Sequence, residues 1–105
     1  MASSPLQTPQ YVPEEDIETQ ADTERPHRVL VHNDEITPYD FVIVVLVRIF
    51  EIAPIDAEAI TWAAHTDGIA QVAVLPLTEA NARVGRALFA AALEGYPLRF
   101  SIEPE

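Results

Sequence analysis

The chain has 105 residues, 49% of them apolar, enough for one domain with a modest core and too few for two. Seventeen acidic residues against six basic ones, all arginine, give a net charge of -11 and a pI near 4.4, so a nucleic-acid backbone or an anionic membrane would meet repulsion over most of the surface. The absence of cysteine excludes disulfide scaffolds, thiolate zinc sites, iron–sulfur clusters and cysteine nucleophiles.

Residues 1–26 hold four of the nine prolines and six of the seventeen acids without periodic apolar spacing, and read as a flexible acidic arm ahead of a folded domain over 27–105. The arm lacks the basic and apolar regions of a signal peptide and is too acidic for a transit peptide. No apolar run exceeds the seven residues of Phe41–Val47, against the roughly 20 of a membrane span, so a cytoplasmic protein is expected.

Arg28–His32 is short and β-branched, and the turn-prone pair Asn33-Asp34 follows it, which predicts a strand running into a loop. Thr37-Pro38-Tyr39-Asp40 places a hydroxyl at a helix N-cap, proline at the first helical position and an acid at the third, so Phe41–Val47 is predicted as part of a helix ending near Ile52. Pro54 and Asp56 open a second helix, Ala57 to about Thr66, stopped by Asp67-Gly68 in a left-handed cap. Ala70–Leu77 reads as a strand, Thr78 caps a third helix ending near Leu93 with Gly95 beyond, and Pro97–Ile102 supplies a last strand. The predicted fold is α+β, order β-α-α-β-α-β: a small three-stranded antiparallel sheet packed against three helices.

Three glycines cannot furnish a phosphate loop or a nucleophile elbow, and no paired-histidine helix is present, so no catalytic residue, enzyme activity, metal or other cofactor is expected. His32, Asp34 and His65 can be drawn as a metal set, but nothing in their spacing enforces it. Taken singly, His65 reads as a packed helix histidine with its nitrogens satisfied locally, and Asn33-Asp34 as a turn. Taken together they offer an amide oxygen, a carboxylate and an imidazole nitrogen, a set of acceptors suited to a primary ammonium group.

Val29-Leu30-Val31-His32-Asn33-Asp34-Glu35-Ile36-Thr37-Pro38-Tyr39-Asp40-Phe41-Val42, then Ala64-His65-Thr66-Asp67-Gly68, then Tyr96-Pro97-Leu98, closely resembles the ClpS family of Clp-protease adaptors over nearly all of 27–105. The resemblance implies a non-enzymatic component that binds the N-terminal residue of a degradation substrate and hands it to an AAA+ unfoldase of the ClpA or ClpC type. Asn33, Asp34 and His65 match the positions that hold the substrate's free α-amino group, and Thr37 a neighbouring supporting position. Tyr39, Val42, Thr61, Ala64 and Leu98 match the pocket for a first side chain of Phe, Tyr, Trp or Leu.

Tyr39 stands where relatives often carry methionine, and Ala64 where they carry a branched aliphatic residue, exchanging an adaptable wall for a stiffer, roomier one. The family's third helix usually opens with Glu-x-x-Glu-x-Lys, the unfoldase-docking pattern; here Thr78, Glu79, Asn81 and Arg83 occupy that stretch, keeping the cation and moving the glutamate by one position. Val44, Val47, Leu88 and Phe89 replace polar residues of relatives, and are expected either to be buried by shifted helix packing or to form a self-association or partner patch. A second reading follows from these departures: a modulator of a Clp unfoldase, or a self-associating module, that does not use the N-terminal-residue pocket.

Overall fold

The computed structural model describes residues 24–105. The acidic arm expected over 1–26 lies outside the described residues apart from 24–26, and Pro26 already begins the first strand. The elements are β1 (Pro26–His32), α1 (Tyr39–Arg48), α2 (Pro54–Asp67), β2 (Ile69–Pro76), α3 (Leu77–Leu93) and β3 (Arg99–Pro104), the β-α-α-β-α-β order predicted.

β1 lies at the centre of one sheet of order β2-β1-β3, antiparallel to both neighbours. Its side chains alternate: His27, Val29 and Val31 are buried while Arg28, Leu30 and His32 are only partly covered. Against β3 the register runs unbroken from His27↔Pro104 to His32↔Arg99. Against β2 it slips between Val29 and Leu30, whose partners are Ala73 and Gln71, so the buried Val72 is the extra residue of a bulge. β3 starts two residues later than Pro97, because Leu98 turns into the core and pairing with β1 sets where the strand begins.

α3 packs across all three strands through a stripe of small residues, Ala80, Val84, Ala87 and Ala91, that lets helix and sheet approach closely. α1 and α2 pack on each other, α1 contributing Val42, Val45 and Leu46 to the core and α2 contributing Ala57, Thr61 and Ala64. The apolar surface of α1 and α3 is not hidden by a shifted packing: Val47 is partly buried, whereas Val44, Leu88 and Phe89 are 49%, 39% and 66% exposed.

Several helix ends differ from expectation. Thr37 does not cap α1; Pro38 is the N-cap, with no side-chain hydrogen bond, because the Thr37 amide and hydroxyl both donate to Asp34. Thr78 likewise caps nothing, since α3 begins directly after Pro76 and places Thr78 inside the first turn. α1 stops at Arg48 rather than near Ile52: Ile52 N–H reaches back to the Leu46 carbonyl, and Glu51 takes a left-handed φ of 58°. α2 starts earlier than Ala57, with Pro54 at its head and Ala53 as N-cap. Its end is as predicted: Gly68 has φ 92° and donates its amide to the Ala64 carbonyl at 2.8 Å.

Candidate functional site

The loop that leaves β1 is fastened at both ends. Asn33 donates its backbone N–H to the Gly68 carbonyl at 2.9 Å, so the left-handed turn that ends α2 also holds the start of the Asn33–Thr37 loop. Asp34 then folds the loop upon itself: Oδ1 accepts the Ile36 and Thr37 amides at 2.8 and 2.6 Å, and Oδ2 accepts the Thr37 hydroxyl at 2.8 Å. Partial burial pushes the Asp34 carboxyl up. The bonds from the Thr37 amide, the Ile36 amide and the Thr37 hydroxyl, with the charge of Arg99, outweigh that and hold it below its ordinary 3.8. A carboxylate offers about four acceptor positions. Three are filled from within the loop, leaving an ionised group with room for one more donor.

α2 supplies the opposite wall. Thr61, Ala64 and His65 stand at i, i+3 and i+4 on one helix face. Thr61 donates its hydroxyl to the Ala57 carbonyl at 2.8 Å, so this buried polar group is satisfied without a ligand. His65 is exposed and sits between two rings, edge-on to Tyr39 at 6.0 Å and tilted against Trp62 at 5.9 Å. Its nitrogens make no hydrogen bond among the described residues, contrary to the packed, locally satisfied histidine that its helix position taken alone implies.

These pieces enclose a cavity of about 330 Å³ lined by Asn33, Asp34, Thr37, Tyr39, Val42, Thr61, Ala64, His65 and Leu98. All nine of the residues singled out for amino-group and side-chain binding therefore line one space. Val31, His32 and Glu35 line it too; sequence reasoning names His32 only in the metal set and none of the three among the binding residues. His32 has a legible signal, being the last residue of β1 before the acceptor pair. It is joined to Ser101 Oγ by a 2.8 Å hydrogen bond across to β3, and burial, with the nearby Arg99 cation, holds it below its ordinary 6.5.

The trio His32, Asp34 and His65 shares the cavity wall, but among the described residues no group of three or more such side chains is placed to hold a metal ion. The arrangement joins an anionic, acceptor-lined end to an apolar end, the chemistry that accommodates a cation with an apolar substituent.

The four α3 residues matched to the docking pattern lie outside the cavity. Thr78 and Asn81 are exposed. Glu79 and Arg83 bind each other, Arg83 Nη2 to Glu79 Oε2 at 2.7 Å and Nε to the same oxygen at 2.9 Å. Arg83, with a side chain only 17% exposed, also donates to the Ile49 carbonyl at 2.8 Å and faces Glu51 at 3.8 Å. Its charge is thus directed at the end of α1 as well as toward solvent.

Comparison with known proteins agrees with this geometry. The family described as ATP-dependent Clp protease adaptor protein ClpS matches residues 22–101. A ClpS adapter of Nitratidesulfovibrio vulgaris is 36% identical over 103 residues, covering 98% of both chains. The ClpS 2 adapter of Mesorhizobium japonicum is 40% identical over 85 residues, 79% of this chain and 84% of that one. Among solved structures, Agrobacterium tumefaciens ClpS2 bound to L-phenylalaninamide superposes with a TM-score of 0.74 at 32% identity, covering 78% of this chain and 99% of that one. With the fold, the motif spacing and the full-length relatives in agreement, the chain belongs to the ClpS family of Clp-protease adaptors.

Proposed function

We propose that this adaptor recognises the first residue of a protein chain and delivers that chain to an AAA+ unfoldase of the ClpA or ClpC type. Asn33, Asp34 and His65 hold the free α-ammonium, Thr37 keeps Asp34 in place, and the first side chain enters the space among Tyr39, Val42, Thr61, Ala64 and Leu98. The observation that carries the reading is the juxtaposition, in one cavity, of an ionised Asp34 with acceptor capacity to spare and an apolar recess. A volume of about 330 Å³ is at the small end for ligand cavities, sized for one residue rather than a peptide. The structural neighbour's ligand, L-phenylalaninamide, presents a free α-amino group and a benzyl side chain. Phe, Tyr and Trp are the favoured first residues; leucine is the informative comparison, since Ala64 widens the recess and the Tyr39 ring cannot reshape around it.

A second reading rests on Glu79 and Arg83, which bind each other in the stretch matched to the docking pattern, and on the exposed Val44, Leu88 and Phe89. On that reading the chain modulates the unfoldase, or associates with itself through Val44, Val47, Leu88 and Phe89, without using the cavity. A degradation assay separates the two. An adaptor accelerates proteolysis of a reporter beginning with Phe and leaves the same reporter beginning with Ala unaffected, whereas a modulator changes both rates alike. Size-exclusion chromatography across protein concentrations reads self-association independently.

A further inference from the structure

Beside the cavity lies an open groove of about 580 Å³ between α1 and α2 that the ammonium acceptors do not use. Its α2 wall is one helical stripe, Ile55, Glu58, Ala59 and Trp62 at i, i+3, i+4 and i+7, and its α1 wall carries Asp40 and Ile43. Tyr39 lines both the groove and the cavity, so the two spaces lie on either side of that residue. Trp62 is 59% exposed and Ile55 77%, and Asp40 and Glu58 are both exposed and in no ion pair among the described residues. No basic residue lines the groove.

We propose that this groove is a second subsite that takes a cationic side chain, arginine or lysine, from the second or third residue of the chain whose first residue fills the cavity. The inference rests on the reading of the cavity given above. A cavity sized for one residue obliges the rest of the bound chain to leave across its rim, and Tyr39 is the part of that rim that opens on the groove. An extended chain advances about 3.3–3.6 Å per residue, so the second and third side chains are the ones in reach. A guanidinium or ammonium there meets two carboxylates and the faces of Trp62 and Tyr39, combining charge-assisted bonds with cation–π attraction. An acidic side chain at the same place meets like charge.

The test is fluorescence anisotropy with labelled peptides beginning Phe-Ala-Ala, Phe-Arg-Ala, Phe-Ala-Arg and Phe-Glu-Ala, and one carrying its only arginine at the eighth residue. Each is titrated with the wild-type chain and with the double variant Asp40→Asn, Glu58→Gln. Arginine at the second or third residue is expected to tighten binding about fivefold to tenfold over alanine, and glutamate to weaken it. The double variant is expected to abolish the glutamate penalty and most of the arginine gain, leaving the share due to the rings of Trp62 and Tyr39, while binding Phe-Ala-Ala as the wild type does. Equal affinity for the alanine and arginine peptides overturns the subsite and leaves the cavity reading standing. A gain that is as large from the eighth residue, or that survives undiminished in the double variant, overturns it in favour of the long-range field of the acidic chain. Failure of Phe-Ala-Ala itself to bind overturns the cavity reading, and the subsite with it.

Discussion

Asp34 makes three hydrogen bonds within its own loop before any ligand arrives, so its replacement has two effects that two variants separate. Asp34→Ala removes the charge and the loop's internal acceptors together. Asp34→Asn keeps a carbonyl oxygen for the Ile36 and Thr37 amides, loses the charge, and puts an NH2 donor where Oδ2 accepts the Thr37 hydroxyl, a bond that the hydroxyl can keep by accepting instead. Both are expected to weaken binding of a Phe-initiated peptide, the asparagine variant by about 10- to 100-fold, the effect of removing one charge-assisted bond. Amide exchange of the loop then distinguishes them: protection survives in Asp34→Asn and is lost in Asp34→Ala. pH provides a second residue-scale test through His32. Its folded-state value lies below 6.5, so the fold favours the neutral ring; its stabilising contribution is fully present above pH 6.5 and declines as pH falls through the folded value. Chemical denaturation is therefore expected to show stability falling with acidification below pH 6.5, less steeply in His32→Gln. The Asp34 carboxyl, also depressed, obeys the same sign in a lower window, beginning below 3.8.

At the scale of elements, the end of α1 depends on α3. Arg83 donates to the Ile49 carbonyl at 2.8 Å, with Arg86 adding a longer bond at 3.4 Å, and the two satisfy an acceptor that the helix leaves unpaired. Arg83→Gln is expected to destabilise the chain by about 1–2 kcal/mol in urea unfolding, mostly through Ile49, because the Glu51 contact is long and solvent-screened. If the residue serves only to dock the unfoldase, that variant changes delivery and leaves the unfolding midpoint where it was. This dual engagement explains what sequence makes legible and what it does not. Glycine and proline punctuation carries its own geometry, so Gly68 as a left-handed cap and the helices α1, α2 and α3 could be read directly. A capping hydroxyl or a docking arginine is a competition among partners that only the fold brings together. Thr37 is taken by Asp34, three residues upstream, and Arg83 by a carbonyl 34 residues away. Eight of the nine binding residues singled out were legible because they fall in the Asn33–Val42, Ala64–Gly68 and Tyr96–Leu98 blocks that resemble the family, and the ninth, Thr61, stands one helical turn before Ala64 and His65. His32 could have been found from its place directly before the acceptor pair, whereas its bond to Ser101 depends on how β1 pairs with β3.

At the scale of the whole molecule, the antiparallel sheet with β1 at its centre delivers the end of β1, the C-terminal turn of α2 and the Pro97-Leu98 entry to β3 to one place, where the cavity forms. The first strand begins at Pro26, so delivery and recognition can be tested apart by a chain that starts at residue 24. Such a truncation is expected to bind Phe-initiated peptides as the full chain does and to slow degradation of a Phe-initiated reporter; equal degradation rates would remove the arm from the delivery step. The central claim concerns the free ammonium, and the measurement that tests it most directly alters the ligand and leaves the protein untouched. Fluorescence anisotropy of one peptide with a free N-terminal phenylalanine, beside its acetylated twin, is expected to give saturable binding for the first and a loss of about 100-fold or more for the second. Equal binding of the two peptides, or binding of neither, would contradict the account.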